Sequence, residues 1–252
     1  MKLIQINAYE GRLDATLRKF LANEQPDLVT AQEIFNSEND VPVPYGMFNL
    51  GSRLRDTLNL KFAYFSPRYS VDVAGEEMIY GNLILSRWPF SRTETTPIFG
   101  EPYWHVKIGN PINNVAIILQ TVKIATPSGE LALANYHGYV TKTATGYLGS
   151  SESTSCMEKV AKKFNDFADL PLIFSGDFNV AAESESMRVF DGKFRDLTAE
   201  NNIAKTLSPA HWWNGPAACD HILVNSRIEV KSFAMPEVLV SDHFPLVMEF
   251  EI

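Results

Sequence analysis

The sequence predicts an α/β fold in which two sheets pack face to face, and three observations carry that prediction. Short apolar runs with strand-like alternation recur along the chain, and several stop abruptly on an acid, an amide or a histidine. The first two such runs are separated by apolar residues at helical spacing, the arrangement in which sites gather at strand ends. The two halves then follow a loosely similar order of strands and helices, with no simple internal repeat, linker or low-complexity segment, which favours two packed sheets over two domains. At 252 residues the length allows one large domain or two small ones. A single domain over 1–252 is expected.

Taken in order, residues 2–7 alternate Leu3 and Gln5 with Ile4 and Ile6 and end at Asn7, as a central strand would. Leu13, Leu17, Phe20 and Leu21 fall at helical spacing, and Gln25-Pro26-Asp27 closes that helix. Residues 27–33 form a second strand finishing on Glu33. Residues 36–56, with Pro42, Pro44, Gly46 and Gly51, show no clear period and read as a loop with short irregular pieces. Strands are expected at 60–65 and 80–86, the latter stopped by Pro89. Residues 99–110 hold Tyr103, Trp104 and His105 in a segment bounded by glycine and proline, where the aromatics either fold over the core or stack on a base.

Residues 115–124 and 131–136 form an expected hairpin turning on Thr126-Pro127-Ser128-Gly129, and its second strand delivers His137. Residues 151–168 read as a helix with Met157, Val160, Ala161, Phe164 and Phe167 on its apolar face. Leu172 to Phe174 then make a short buried strand, and Gly176 is expected to permit the turn after it. Asp177 and Asn179 alternate with Phe178, so both polar side chains would share a face while the phenyl anchors the other. A carboxylate and an amide side by side at a strand end suit metal or phosphate chemistry, although the same pattern also closes strands as an Asx turn. Ser184 is a candidate N-cap for a short helix through Phe190. Residues 194–197, 220–224, 227–233 and 246–252 complete the strands, and 211–216 with Trp212 and Trp213 is a loop.

Composition narrows the function classes. Thirty acidic against 22 basic residues give a formal charge of −8, the wrong sign for coating duplex nucleic acid, though not for a local basic cleft. The apolar share of 45% is ordinary for a globular protein, and no run is long enough to span a bilayer. Residues 1–7 pass directly into a strand pattern without a signal-peptide core, so a cytoplasmic location is the expectation. Cys156 and Cys219 alone fit neither a disulfide scaffold nor a zinc site.

The polar residues that terminate strands are Asn7, Glu33, His137, Asp177, Asn179, Asp220, Asp242 and His243. Each has a bland reading: a turn amide for Asn7, a surface acid for Glu33, a core imidazole for His137, a loop pair for Asp242-His243. Their recurrence at the ends of so many strands favours a shared site.

In Gln5-Ile6-Asn7, Ala31-Gln32-Glu33, residues 81–89, Asn135-Tyr136-His137-Gly138, residues 175–179, Cys219-Asp220-His221-Ile222 and Ser241-Asp242-His243-Phe244-Pro245, the chain resembles the endonuclease/exonuclease/phosphatase superfamily, the deoxyribonuclease-I-like fold. The motifs run in the family's order over almost the whole chain. The resemblance implies a four-layer sandwich, two mixed and largely antiparallel sheets between layers of helices, with a site at one rim. It also implies metal-dependent cleavage of a phosphate ester, usually with magnesium, for which manganese can substitute. Glu33 then looks like the direct metal carboxylate, with Asn7 beside it and Asp242 acting on the metal or its waters. Asp177 and Asn179 would orient the attacking water and the phosphoryl oxygen, and His243, held by Asp220, would serve as acid, base or charge-stabilising imidazole. His137 matches a histidine that meets a non-bridging phosphate oxygen. Related enzymes support that histidine with an acid on the strand at 81–87, where this chain has Tyr80 and Asn82 nearby. His211 and His221 are expected to be structural.

The expected function is a magnesium-dependent phosphodiesterase, foremost a nuclease on short or single-stranded nucleic acid, working as a monomer without a membrane. A phosphatase or phosphodiesterase on a small-molecule or lipid phosphate is the alternative, since loops set the substrate. A catalytically inactive binding module is disfavoured by the complete set of acids, amides and histidines.

Overall fold

The computed structural model describes the chain apart from residues 38–41, 44, 45, 48, 74, 75, 103, 107–115, 142–146, 214 and 216. The chain opens with β1 (Lys2–Asn7), a 3-10 turn (Tyr9–Gly11), α1 (Asp14–Glu24), β2 (Leu28–Phe35), β3 (Pro42–Val43), β4 (Gly46–Met47) and α2 (Leu50–Leu58). Strands follow: β5 (Phe62–Val73), β6 (Glu76–Ser86), β7 (Phe90–Gly100), β8 (Trp104–Val106), β9 (Ala116–Thr126) and β10 (Gly129–His137). Next come α3 (Ser151–Lys163), a 3-10 turn (Phe164–Phe167), β11 (Leu172–Asp177) and a 3-10 helix (Glu185–Phe190). β12 (Arg195–Asp196), α4 (Leu197–Glu200), β13 (Asp220–Val224), β14 (Glu229–Ala234) and β15 (Leu246–Glu251) close the chain.

The strands form a seven-stranded sheet, ordered β14-β15-β1-β2-β6-β5-β8, and a six-stranded sheet, ordered β12-β13-β11-β10-β9-β7. Most neighbours are antiparallel; β1/β2, β10/β11 and β5/β8 are parallel. A parallel pair needs a crossover, and α1 and α3 supply it for the first two. That duplicated strand-helix-strand is the similarity between the halves that the sequence displays.

Alternation along β1 explains the layers. Leu3 faces the other sheet and packs with Val122, Leu133, Ile173 and Ile222. Ile4 and Ile6 face outward beneath α1 and α2, against Leu17, Leu21, Leu50 and Leu54. On the far side, α3 lays Met157 and Val160 over the outer face of the six-stranded sheet, where Phe174 and Phe178 also pack. α3 starts at a capping box, Ser150 Oγ accepting from the Ser153 N–H at 3.2 Å and Ser153 Oγ from the Ser150 N–H at 2.6 Å.

Several expectations change. α2 begins within the stretch expected to be a loop and runs two residues past it, because Leu50 and Leu54 are four apart on one buried face while Gly51, Ser52 and Asp56 dilute the pattern. β7 was not expected; it is an edge strand, mostly exposed and rich in threonine, so it lacks an apolar signature. β8 crosses the aromatic stretch at 99–110 as an edge strand; Tyr103 and residues 107–110 lie outside the described residues, as does the side chain of Trp104. Gly176 makes no turn. It sits within β11 at φ 152°, and a side chain there would collide with the Tyr136 carbonyl of β10.

The topology brings the polar strand ends to one rim. β1 and β10 run toward it and end at Asn7 and His137. β13 and β15 run antiparallel to β11 and β1, so Asp220 and the residues just before Leu246 start from the same edge. In the register, His137 pairs with Asp177 and Asp177 with Asp220.

Candidate active site

Asn7, at the end of β1, reaches across from one sheet to the other, its Nδ2 donating to Asp177 Oδ2 at 3.0 Å. Asp177 Oδ1 accepts the Asn179 N–H at 3.0 Å. The Asx turn and the site are therefore one arrangement: one carboxylate oxygen closes the turn and leaves the other facing the rim. Phe178 is fully buried in the outer core and anchors that turn, as the alternation requires. Asn179 Nδ2 lies 3.4 Å from the Gly138 carbonyl.

His243 Nδ1 sits 2.7 Å from Asp220 Oδ2, and its Nε2 lies 3.9 Å from Asp177 Oδ2. Asp220 Oδ1 accepts from Gln5 Nε2 at 3.1 Å, so both of its oxygens are engaged. His137 approaches Asp177 Oδ2 from the other side, Nε2 at 3.7 Å. Ser241 Oγ donates to the Asn7 carbonyl at 2.6 Å and lies 3.2 Å from Asp242 Oδ1, tying the Asp242-His243 loop to the end of β1.

Glu33 does not end its strand. It lies where β2 and β6 slip register between Ala31 and Ile34, and its φ is 56°. A bulge re-aims a side chain, and a left-handed non-glycine residue persists only where its surroundings enforce it. Tyr9, Glu10 and Asn179 also have positive φ, so four of the seven such non-glycine residues described cluster at this rim.

A model of the Endonuclease/Exonuclease/phosphatase family matches residues 4–243. The chain belongs to that family. Its fold is similar to an endonuclease/exonuclease/phosphatase from Beutenbergia cavernae, TM-score 0.73 at 17% identity, covering 100% of this chain and 71% of that one. A Bacteroides thetaiotaomicron mannosyl-6-phosphatase matches at TM-score 0.72 and 16% identity, over 100% of both chains. D. rerio TDP2 complexed with single strand DNA product matches at TM-score 0.71 and 16% identity, over 100% of this chain and 99% of that one. No curated protein aligns significantly with the sequence.

Electrostatics in this family member divide the ionisable groups. Burial alone would lower the His243 pKa, but Asp220 and Asp177 outweigh it and hold the ring well above the ordinary value, as a cation. Burial raises Asp220, and the His243 charge more than reverses that. Asp177 is pushed up to about 6 by burial, against the pull of His243. Burial, then the charges of Asp242 and Glu10, push Glu33 up to about 8, against the opposing pull of His243 and the Asn7 side chain. A half-buried carboxylate crowded by like charges beside an amide fits a hard divalent cation, which takes oxygen ligands and relieves that repulsion. Asn7, Glu33 and Asp242 thus have the donor chemistry for magnesium.

Two tighter ligand-type clusters among the described residues are Asp177–Cys219–His243 and His211–Asp242–His243. Burial raises the Cys219 thiol and keeps it protonated, which makes it a poor ligand. His211, which sequence alone marks as structural, packs edge-to-face on His243 with ring centres 5.6 Å apart. His221 is wholly buried between Asp196 and the Val180 carbonyl, away from the rim. Asn82 makes no protein hydrogen bond with its side chain among the described residues; it is Arg68 that supports His137, with Nη1 2.7 Å from Nδ1. Alternation misses Arg68 and Gln5 because neither sits at a strand end.

Proposed function

We propose that this chain hydrolyses phosphate esters with a divalent cation, magnesium or manganese, held by Glu33, Asn7 and Asp242. When bound, the cation would neutralise charge on the phosphoryl oxygens and lower the pKa of its waters. The chain's own residues frame the substrate. Asp177, held by Asn7 and by the Asn179 N–H, orients the attacking water and accepts its proton, a task suited to a carboxylate whose pKa is raised. Asn179 and His137 donate to phosphoryl oxygens. His243, kept charged by Asp220, stabilises the charge that develops and supplies a proton to the leaving group. The observation that carries this reading is the unbroken set of contacts Gln5–Asp220–His243–Asp177–Asn7 across the two sheets, which joins a neutralising imidazolium to a basic carboxylate in one buried site.

The substrate we favour is a phosphodiester in short or single-stranded nucleic acid. Trp212 supports it: its indole is 67% exposed beside His211, while Trp213 is packed against Tyr147. A small phosphate ester is the alternative, and the two kinds of substrate are matched by the fold's resemblance to TDP2 and to the mannosyl-6-phosphatase. Among the described residues no helix is long and apolar enough to cross a membrane, and a cytoplasmic monomer remains the proposal.

The test uses bis(p-nitrophenyl) phosphate before and after chelation, with calorimetric titration of manganese into the parent and Glu33→Gln. Chelation should abolish turnover and magnesium or manganese should restore it. Glu33→Gln keeps the shape but loses the charge, and should weaken metal binding by more than the roughly tenfold to hundredfold that an outer partner is worth. Chelator-insensitive turnover, or parental metal affinity in Glu33→Gln, refutes the metal assignment.

A further inference from the structure

Arg68 occupies an irregularity that alternation could not reveal. Pro67 pairs with Gly81 and Tyr69 with Tyr80, which leaves Arg68 as the unpaired residue of a bulge in β5. A bulge turns its side chain out of the strand's regular alternation, and here the guanidinium goes inward, to 4% exposure. Two contacts fix it: Nε donates to the Ala116 carbonyl at 2.7 Å, and Nη1 lies 2.7 Å from His137 Nδ1.

The second contact dictates the chemistry of the ring. A guanidinium has donors and no acceptor, so Nδ1 of His137 must accept and the ring proton must reside on Nε2. That nitrogen is the one facing Asp177. Burial, then Arg68, then His243 also oppose a second proton on the ring. The charged groups that face His137 are Arg68 from β5, Asp177 from β11 and His243 from the loop before β15.

We infer that Arg68 is the positioning residue of His137, locking the imidazole as a neutral donor that presents Nε2–H to the reacting phosphate. An acid behind the ring works in the opposite sense, because a carboxylate accepts from Nδ1–H and leaves Nε2 able to donate only while the ring is a cation. With Arg68 the positive charge sits one residue back, on a group that does not lose its proton in proteins. The donor therefore survives at alkaline pH. The phosphate as acceptor rests on the phosphoesterase reading; the tautomer does not.

Two measurements test the inference on the full chain. The first is the nitrogen-15 spectrum of histidine-labelled protein without metal at alkaline pH, with the His137 signals assigned by their loss in His137→Gln. The parent should show the Nε2–H tautomer, Arg68→Met should lose that preference, and Arg68→Gln, whose amide can still donate, should restore it. An Nδ1–H tautomer or an imidazolium in the parent overturns the proposal, whether or not Arg68→Met folds. The second is steady-state kinetics on the diester. Arg68→Met should lower kcat by at least about tenfold with little change in KM, less than the roughly hundredfold expected for losing the donor itself, and Arg68→Gln should recover most of it. Equal losses in the two variants with an unchanged tautomer would make Arg68 a packing residue only. If no phosphate ester is cleaved by the parent, the phosphoesterase reading falls while the tautomer still decides the role of Arg68.

Discussion

Two buried histidines on one carboxylate are held in opposite protonation states by what stands behind them. Asp220 and Asp177 outweigh burial and make His243 a cation, whereas burial and then Arg68 keep His137 neutral. Because Asp220 acts through His243, the two should behave as a unit. His243→Ala and Asp220→Asn are each expected to lower kcat by at least about a hundredfold, and the double variant should fall little further, since residues that act together are far from additive. Full multiplication of the single losses in kcat would disprove the dyad. At this scale the strand-end residues were legible because a polar group that interrupts an apolar run is conspicuous. Arg68 was not, because an arginine in a strand usually means a solvated face and only the bulge turns it inward.

At the scale of elements, β12, α4 and β13 are joined by an ion pair on the outer face of the six-stranded sheet, where His221 packs against Phe178. His221 Nδ1 lies 2.8 Å from Asp196 Oδ2 and Nε2 lies 2.9 Å from the Val180 carbonyl, so both ring nitrogens face acceptors and the ring is a cation. Asp196 Oδ1 meanwhile caps α4 through the Thr198 N–H at 3.0 Å. Burial lowers the His221 pKa, but Asp196 more than compensates and the net shift is upward. With the folded pKa above an unfolded value of about 6.5, the stabilisation is complete below that value and is lost as pH rises through the folded pKa. His221→Gln should therefore cost most near pH ~6, on the scale of about 3–5 kcal/mol for breaking a buried pair, and less as pH rises. Denaturant melts of parent and variant across pH check this, and a gap that widens toward alkaline pH would contradict it. The helices α1 and α3 were readable from apolar spacing, whereas α2 and β7 were not, because one is diluted by small polar residues and the other buries little of itself at a sheet edge.

At the scale of the molecule, the formal charge of −8 leaves an anionic substrate to be held by the site itself. The footprint should be small. Each neutralised duplex phosphate contributes about −0.9 to the slope of log affinity against log salt, so a slope of about −2 to −4 is expected. Specificity constants for a short oligonucleotide, a small diester and a plasmid across a salt series should favour the short substrates at physiological salt. Steeply salt-dependent nicking of the plasmid would point instead to an extended basic cleft.

By itself the sequence determined the sheet-and-helix alternation, the inward and outward faces of the central strands, and the polar groups at the strand ends Asn7, His137, Asp177 and Asp220. Each of those follows from period and polarity, which are local properties of the chain. Tertiary structure alone decided that β1 and β10 end where β13 and β15 begin, so that Asn7 on one sheet meets Asp177 on the other at 3.0 Å. It also decided the two register slips that aim Glu33 and Arg68. A slip is a relation between partner strands, and no single strand encodes it: the extra residue is defined only once β6 supplies the residues it fails to pair with.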